Sequence, residues 1–82
     1  MTDDLDIRHR INALVGEEKS LREQLSTGAI GADEEHARLR AIETQLDQCW
    51  DLLRQRDALR NAGENPDAAA VRPGDVVENY LD

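Results

Sequence analysis

The sequence predicts an all-α protein: an antiparallel two-helix hairpin, coiled-coil-like, with a short, partly helical C-terminal tail. Three observations predict it. Apolar residues Ile7, Ile11, Leu14, Leu21 and Leu25 recur at steps of four, three, seven and four, a heptad stripe broken by Glu18. A second stripe runs through Leu39, Ile42, Leu46, Cys49 and Leu53. Between them, Thr27-Gly28-Ala29-Ile30-Gly31 is too short for a linker between domains and carries two glycines, which suits the tight turn of a helical hairpin.

The first helix is expected over about residues 3–27. Thr2 is a plausible N-cap, Asp3 and Asp4 favour the positive end of the helix dipole, and Gly28 is placed to end the helix in a left-handed conformation. The second helix is expected over about residues 32–61, with Asp33, Glu34 and Glu35 in its first turn and Ala62-Gly63 as its stop. Folding the stripes together about the turn gives a register in which facing residue numbers sum to about 60. Leu21 then meets Leu39, Leu14 meets Leu46, Ile11 meets Cys49 and Ile7 meets Leu53. Asp4 meets Arg56 at the open end, and Glu18, beside Ile42, must snorkel outward or find a cation. Two independent stripes that agree in register are the strongest argument for the hairpin.

Residues 1–63 thus form the hairpin and residues 64–82 a tail of different character, with both prolines and five acids against one Arg. Asn65-Pro66-Asp67 is a good start for a short helix over Ala68 to Val71, with Asn as cap and Pro at the first position. Asp75-Val76-Val77-Glu78 is a second start, where Val76 with Tyr80 and Val77 with Leu81 make i, i+4 apolar pairs. The tail is expected to dock on the hairpin, with Val76, Val77, Tyr80 and Leu81 against the side that carries Trp50.

Composition excludes more than it identifies. Nine Arg and one Lys face eighteen acids, a net charge of −8 on 82 residues, which repels nucleic acid and anionic lipid. One Trp, one Tyr and no Phe supply no series of stacking platforms. The opening Met1-Thr2-Asp3-Asp4 is acidic where a signal peptide is basic, no apolar run approaches the length of a membrane span, and the lone Cys49 suits a reducing compartment. The expectation is a cytoplasmic protein without nucleic-acid or membrane partners.

Chemistry-bearing residues are sparse. Cys49 lies on the helical seam next to Trp50 with Asp47 and Asp51 nearby, a setting that disfavours thiolate. His9 and His36 have no Ser or Cys placed by spacing, and no Gly-rich phosphate loop occurs. Glu43, Asp47 and Asp51 form an acidic column at i, i+4, i+8, read as a solvated and partly paired face, with Arg54 on Asp51, Arg56 on Asp4 and Arg60 on Asp57. Asp33-x-x-His36 has the spacing of a carboxylate and imidazole in bundle di-metal sites, but a helix N-terminus favours the same acids. No enzyme activity, metal or cofactor is expected.

Leu5, Val15, Trp50, Leu52 and Leu59 lie outside the seam and need a cover. The reading that follows is a non-enzymatic protein-protein interaction module that self-associates as a dimer or higher oligomer. Trp50, Leu52, Arg54, Leu59, Tyr80 and Leu81 are its candidate interface residues. Two rivals are an acidic regulatory adaptor whose tail binds a basic transcription or translation component, and a metal-binding helical bundle.

The stretch Glu34-Glu35-His36-Ala37-Arg38-Leu39, the string Asp47-Gln48-Cys49-Trp50-Asp51-Leu52-Leu53-Arg54-Gln55-Arg56, and the tail elements Gly63-Glu64-Asn65-Pro66-Asp67, Val71-Arg72-Pro73 and Val77-Glu78-Asn79-Tyr80-Leu81 resemble a small actinobacterial family known only as a domain of unknown function. The resemblance covers essentially the whole chain. It implies a cytosolic bacterial stand-alone protein and brings no activity, cofactor or functional residue with it.

Overall fold

The computed structural model describes residues 3–74. Two helices, α1 (Asp4–Ser26) and α2 (Ala32–Asn61), are followed by a 3-10 turn (Pro66–Ala68). No helix among the described residues is long and apolar enough to cross a membrane.

Local chemistry sets each end. The cap of α1 is Asp3, one residue later than the expected Thr2, which lies outside the described residues. The Asp6 amide donates to Asp3 Oδ1 at 2.8 Å, and the Asp3 amide to Asp6 Oδ2 at 3.4 Å. A Thr2 cap would place Leu5 at the third helical position, where it cannot return a bond; Asp3 places an acid there and closes a capping box. At the other end the Gly28 amide donates to the Leu25 carbonyl at 3.1 Å and the Ala29 amide to the Gln24 carbonyl at 2.8 Å, with Gly28 at φ +78°. The end of α2 repeats this geometry through Gly63 and Glu64, which donate to Arg60 and Leu59, with Gly63 at φ +75°. Both are Schellman motifs, which place an otherwise costly left-handed residue where only glycine is unstrained. Gly28→Ala is expected to lower stability by about 1 kcal/mol in a urea titration; an unchanged midpoint would show that the turn tolerates a side chain there.

The core is the seam between the helices. Ile7, Ile11, Leu52 and Leu53 form one buried cluster, and Leu14, Leu21 and Ile42 another, with Leu46 and Cys49 packed against both. Their composition agrees with the expected register: Ile7 with Leu53, Ile11 with Cys49, Leu14 with Leu46. At the open end Arg56 Nε donates to Asp4 Oδ1 at 2.5 Å, as the register requires. Glu18 finds its cation on its own helix, Arg22, at 3.3 Å.

The register slips near the turn. Leu21 clusters with Ile42, Leu39 is only half-buried, and Glu35 is buried instead. An ideal helix rotates about 20° per heptad relative to a strict seven-residue repeat. Over the two heptads from Leu53 to Leu39 that rotation carries Leu39 to the edge of the contact and swings Glu35 toward its centre. The burial of Glu35 is thus a consequence of the offset between the helical period and a seven-residue repeat.

Candidate functional site

Beyond Gly63 the chain turns back along α2. Asn65 caps the 3-10 turn by accepting from the Asp67 amide at 3.0 Å, with Pro66 at its first position. The helix expected over Ala68 to Val71 does not form: Ala69 is already extended, with φ −64° and ψ 144°. Pro73 disfavours helix at Arg72, and so short a helix has little cooperativity of its own. The extended form has partners that a helix would forgo. Such a chain advances about 3.1 Å per residue against about 1.5 Å for a helix, so each tail residue passes two residues of α2. Asp67, still in the 3-10 turn, lies at Arg56; beyond it the extended residues step quickly along the helix, Ala70 at Gln55, Arg72 at Asp51 and Gln48, and Gly74 at Thr44.

Two glutamines on α2 take the place of a strand edge. Gln55 Nε2 donates to the Ala70 carbonyl at 2.8 Å while its Oε1 accepts from the Ala70 amide at 3.4 Å, and Gln48 Nε2 donates to the Arg72 carbonyl at 3.1 Å. Ala69 packs on the Leu52 cluster. Gly74 lies so close to Thr44 that a Cβ there would come within 2.5 Å of the threonine methyl.

Asp51 anchors the tail. Its side chain is 1% exposed and accepts from Arg72 Nε at 2.9 Å, from Arg72 Nη2, and from Gln55 Nε2 at 2.8 Å. The Arg72 guanidinium holds this carboxyl below the usual carboxylate range despite the opposing effect of burial, with help from Gln55 and from the more distant charge of Arg54. The sequence reading of Asp51 as part of a solvated column paired to Arg54 is therefore corrected. Arg72 is the tail's one cation, and an extended backbone brings it onto Asp51 from outside the helix. The signal in the sequence was the polar stripe Gln48, Asp51, Gln55 at i, i+3, i+7 on one helical face.

A second polar node closes the open end. Arg56, its side chain 8% exposed, bridges Asp4 and Asp67, and Arg60 Nη2 reaches both oxygens of Asp4 at 2.9 and 3.0 Å. The Arg56 hydrogen bond lowers the Asp4 pKa, and the same bond with that to Asp67 raises that of Arg56. α1, α2 and the tail meet at this one guanidinium.

Trp50 points away from all of this. At about 100° per residue it lies roughly 200° around α2 from Gln48, so residues 69–74 of the tail pass on the other side of α2 from the indole. The indole is 45% exposed and shares a shallow groove with Asp4, Arg8, Leu53, Arg54 and Asp57. Val15, 51% exposed, falls three helical turns from Asp4 on the same stripe of α1 as Asp4 and Arg8. Of the other candidate interface residues, Arg54 is exposed beside Trp50 and Leu59 is half-buried. Leu52 is buried in the seam and covered by the tail, so it offers no outer surface. Tyr80 and Leu81, with Val76 and Val77, lie outside the described residues.

Cys49 is half-buried between the two clusters, where burial raises its thiol pKa against the lowering influence of Arg10. Such a thiol is mostly protonated at neutral pH and a poor nucleophile. Among the described residues no group of three His, Cys, Asp or Glu side chains converges to hold a metal ion.

The family model described as "Protein of unknown function (DUF2630)" matches residues 3–82. An uncharacterized protein of Mycobacterium bovis is 57% identical over 79 residues, covering 96% of this chain and 90% of the relative. An uncharacterized protein of Mycobacterium tuberculosis matches to the same extent, 57% over 79 residues. No solved structure matches the chain.

Proposed function

Because the chain belongs to DUF2630, a family described only as of unknown function, we propose its role from its surface: a non-enzymatic, cytoplasmic protein-protein interaction module that self-associates through the Trp50 face. The observation that carries this reading is that Trp50 stays 45% exposed while the tail covers the other side of the same helix. A half-exposed indole next to arginines is the composition of an interface anchor. The rim has both signs, Arg8 and Arg54 with Asp4 and Asp57. With charges of both signs around it, this face lets a second copy related by a two-fold axis approach without meeting a rim of one sign only, which matters when both copies carry a net charge of −8. The acidic-adaptor alternative has less support, because Asp67 of the acidic tail is engaged with Arg56.

Light scattering behind a sizing column, over a wide dilution range, tests the proposal. The wild-type chain is expected to lose mass to monomer on dilution, and Trp50→Ala to remain monomeric at concentrations where wild type associates. The same substitution should alter unfolding free energy by less than about 1 kcal/mol, against about 3–5 for a fully buried ring. A wild-type monomer at every concentration, or an unchanged oligomer in Trp50→Ala, would overturn the proposal.

A further inference from the structure

We propose that the face of α2 beneath residues 69–74 is a docking groove for an extended segment of another protein, one in which a large apolar residue is followed by arginine, and that the chain's own tail fills it as a weaker, built-in competitor. This goes beyond the self-association reading and does not depend on it, because the groove lies on the other side of α2 from Trp50.

The groove holds its present occupant largely by contacts that any extended chain can supply. Gln55 pairs with the amide and carbonyl of Ala70, and Gln48 with the carbonyl of Arg72, so both read main chain and leave the side chains open. Side chains are read at few places: Ala69 on the Leu52 cluster, Arg72 on the buried Asp51 carboxylate, and Gly74 against Thr44. Ala70, Val71 and Pro73 are exposed.

The tail also underfills what it covers. A cleft of about 250 Å³ stays open between helices and tail, with Ile7, Cys49 and Leu52 as its apolar wall and Val71 on the tail side. Val71 is 64% exposed, so its short side chain leaves most of that wall uncovered. A longer apolar side chain at this position, beside an arginine on Asp51, would bury both itself and the wall. Displacing the tail costs little. The Arg72 side chain is 43% exposed, and a tail held by one screened ion pair and a few hydrogen bonds reduces a competitor's affinity by about tenfold. The net charge of −8 steers an arginine-bearing segment toward the chain.

The experiment is proton–nitrogen correlation spectroscopy of the labelled full chain, which follows the side-chain amides of Gln48 and Gln55 during titration with terminally blocked peptides of the sequence 67–74. That sequence has one acid and one base, so overall charge does not draw it to the protein. The receptor carries Ala70→Pro and Arg72→Ala, which remove from its own tail the amide held by Gln55 and the guanidinium held by Asp51. The peptide is expected to bind this receptor about tenfold more tightly than it binds wild type. A peptide with Val71→Phe is expected to bind about tenfold more tightly again. Asp51→Asn in the receptor, with helical ellipticity unchanged, or Arg72→Ala in the peptide is expected to abolish binding. No binding to the opened receptor, binding that survives either change, or no gain from Val71→Phe would each overturn the proposal. So would Gln55-to-Ala70 contacts between chains in a half-labelled wild-type sample, which would make a second copy the occupant. Trp50→Ala in the receptor should leave the titration unchanged, so failure here is separable from failure of the Trp50 interface.

Discussion

Leu14→Ala is expected to unfold most of the chain at room temperature. Leu14 is fully buried at the middle of the seam, in a cluster with Leu21 and Ile42 and beside Leu46 and Cys49, the residues that join the two halves of the core. Truncating such a leucine costs about 3–5 kcal/mol, the lost transfer energy plus the cavity left behind. A two-helix core offers few neighbours to collapse into that cavity, which points to the upper part of the range. Folded chains of this length hold roughly 4–12 kcal/mol in total, and small cores sit toward the bottom. The measurement is helical ellipticity against urea: loss of most of the signal without denaturant is expected. A midpoint within error of wild type would mean that the helices are held by something other than their seam.

The second large effect is expected from Arg72→Ala, and it should be local. Removing the guanidinium leaves the Asp51 carboxylate with Gln55 as its hydrogen-bond donor in a buried position, and the chain can relieve that cost only by releasing the tail so that water reaches Asp51. The Arg72 side chain is 43% exposed, so solvent screens part of the pair. The net loss is therefore placed at about 1–2 kcal/mol. Amide exchange at Ala70, whose N–H donates to Gln55, should become fast while the centres of α1 and α2 stay protected. Slow exchange at Ala70 in this variant would show that the glutamine contacts hold the tail unaided.

Acid should reproduce that release in the wild-type chain. Arg72 lowers the Asp51 pKa in the folded protein and Arg56 lowers that of Asp4. A carboxyl with a depressed folded pKa binds its proton more readily when unfolded. Its contribution is therefore fully present above the unfolded value near 4 and is lost as pH falls through the lower folded value. Tail protection should persist down to about pH 4 and decline below it in wild type, whereas Arg72→Ala should show no such step.

The helices were legible because their signals are local and repeated. Two heptad stripes, two glycines at helix ends and a first turn rich in acid each state the same architecture, and the Asp4 to Arg56 pair follows from register alone. The tail was legible only in part. Asn65 and Pro66 announce a turn, but whether the following residues coil or extend depends on Gln48, Asp51 and Gln55, far off in sequence. Counting charges along α2 made Asp51 part of an acidic surface, because nothing within a few turns of it reveals a cation arriving from residue 72.

The sequence by itself determined the hairpin, its register from the open end to the middle of the seam, and both helix stops, since periodicity and backbone propensity act over a few residues at a time. Tertiary structure decided which side of α2 the tail covers, and with it the fate of Leu52, Asp51 and Trp50. That choice rests on a few hydrogen bonds and two ion pairs, Arg72 with Asp51 and Arg56 with Asp67, between segments 11 to 24 residues apart. An extended chain has no periodicity of its own to show which helical face will supply its partners.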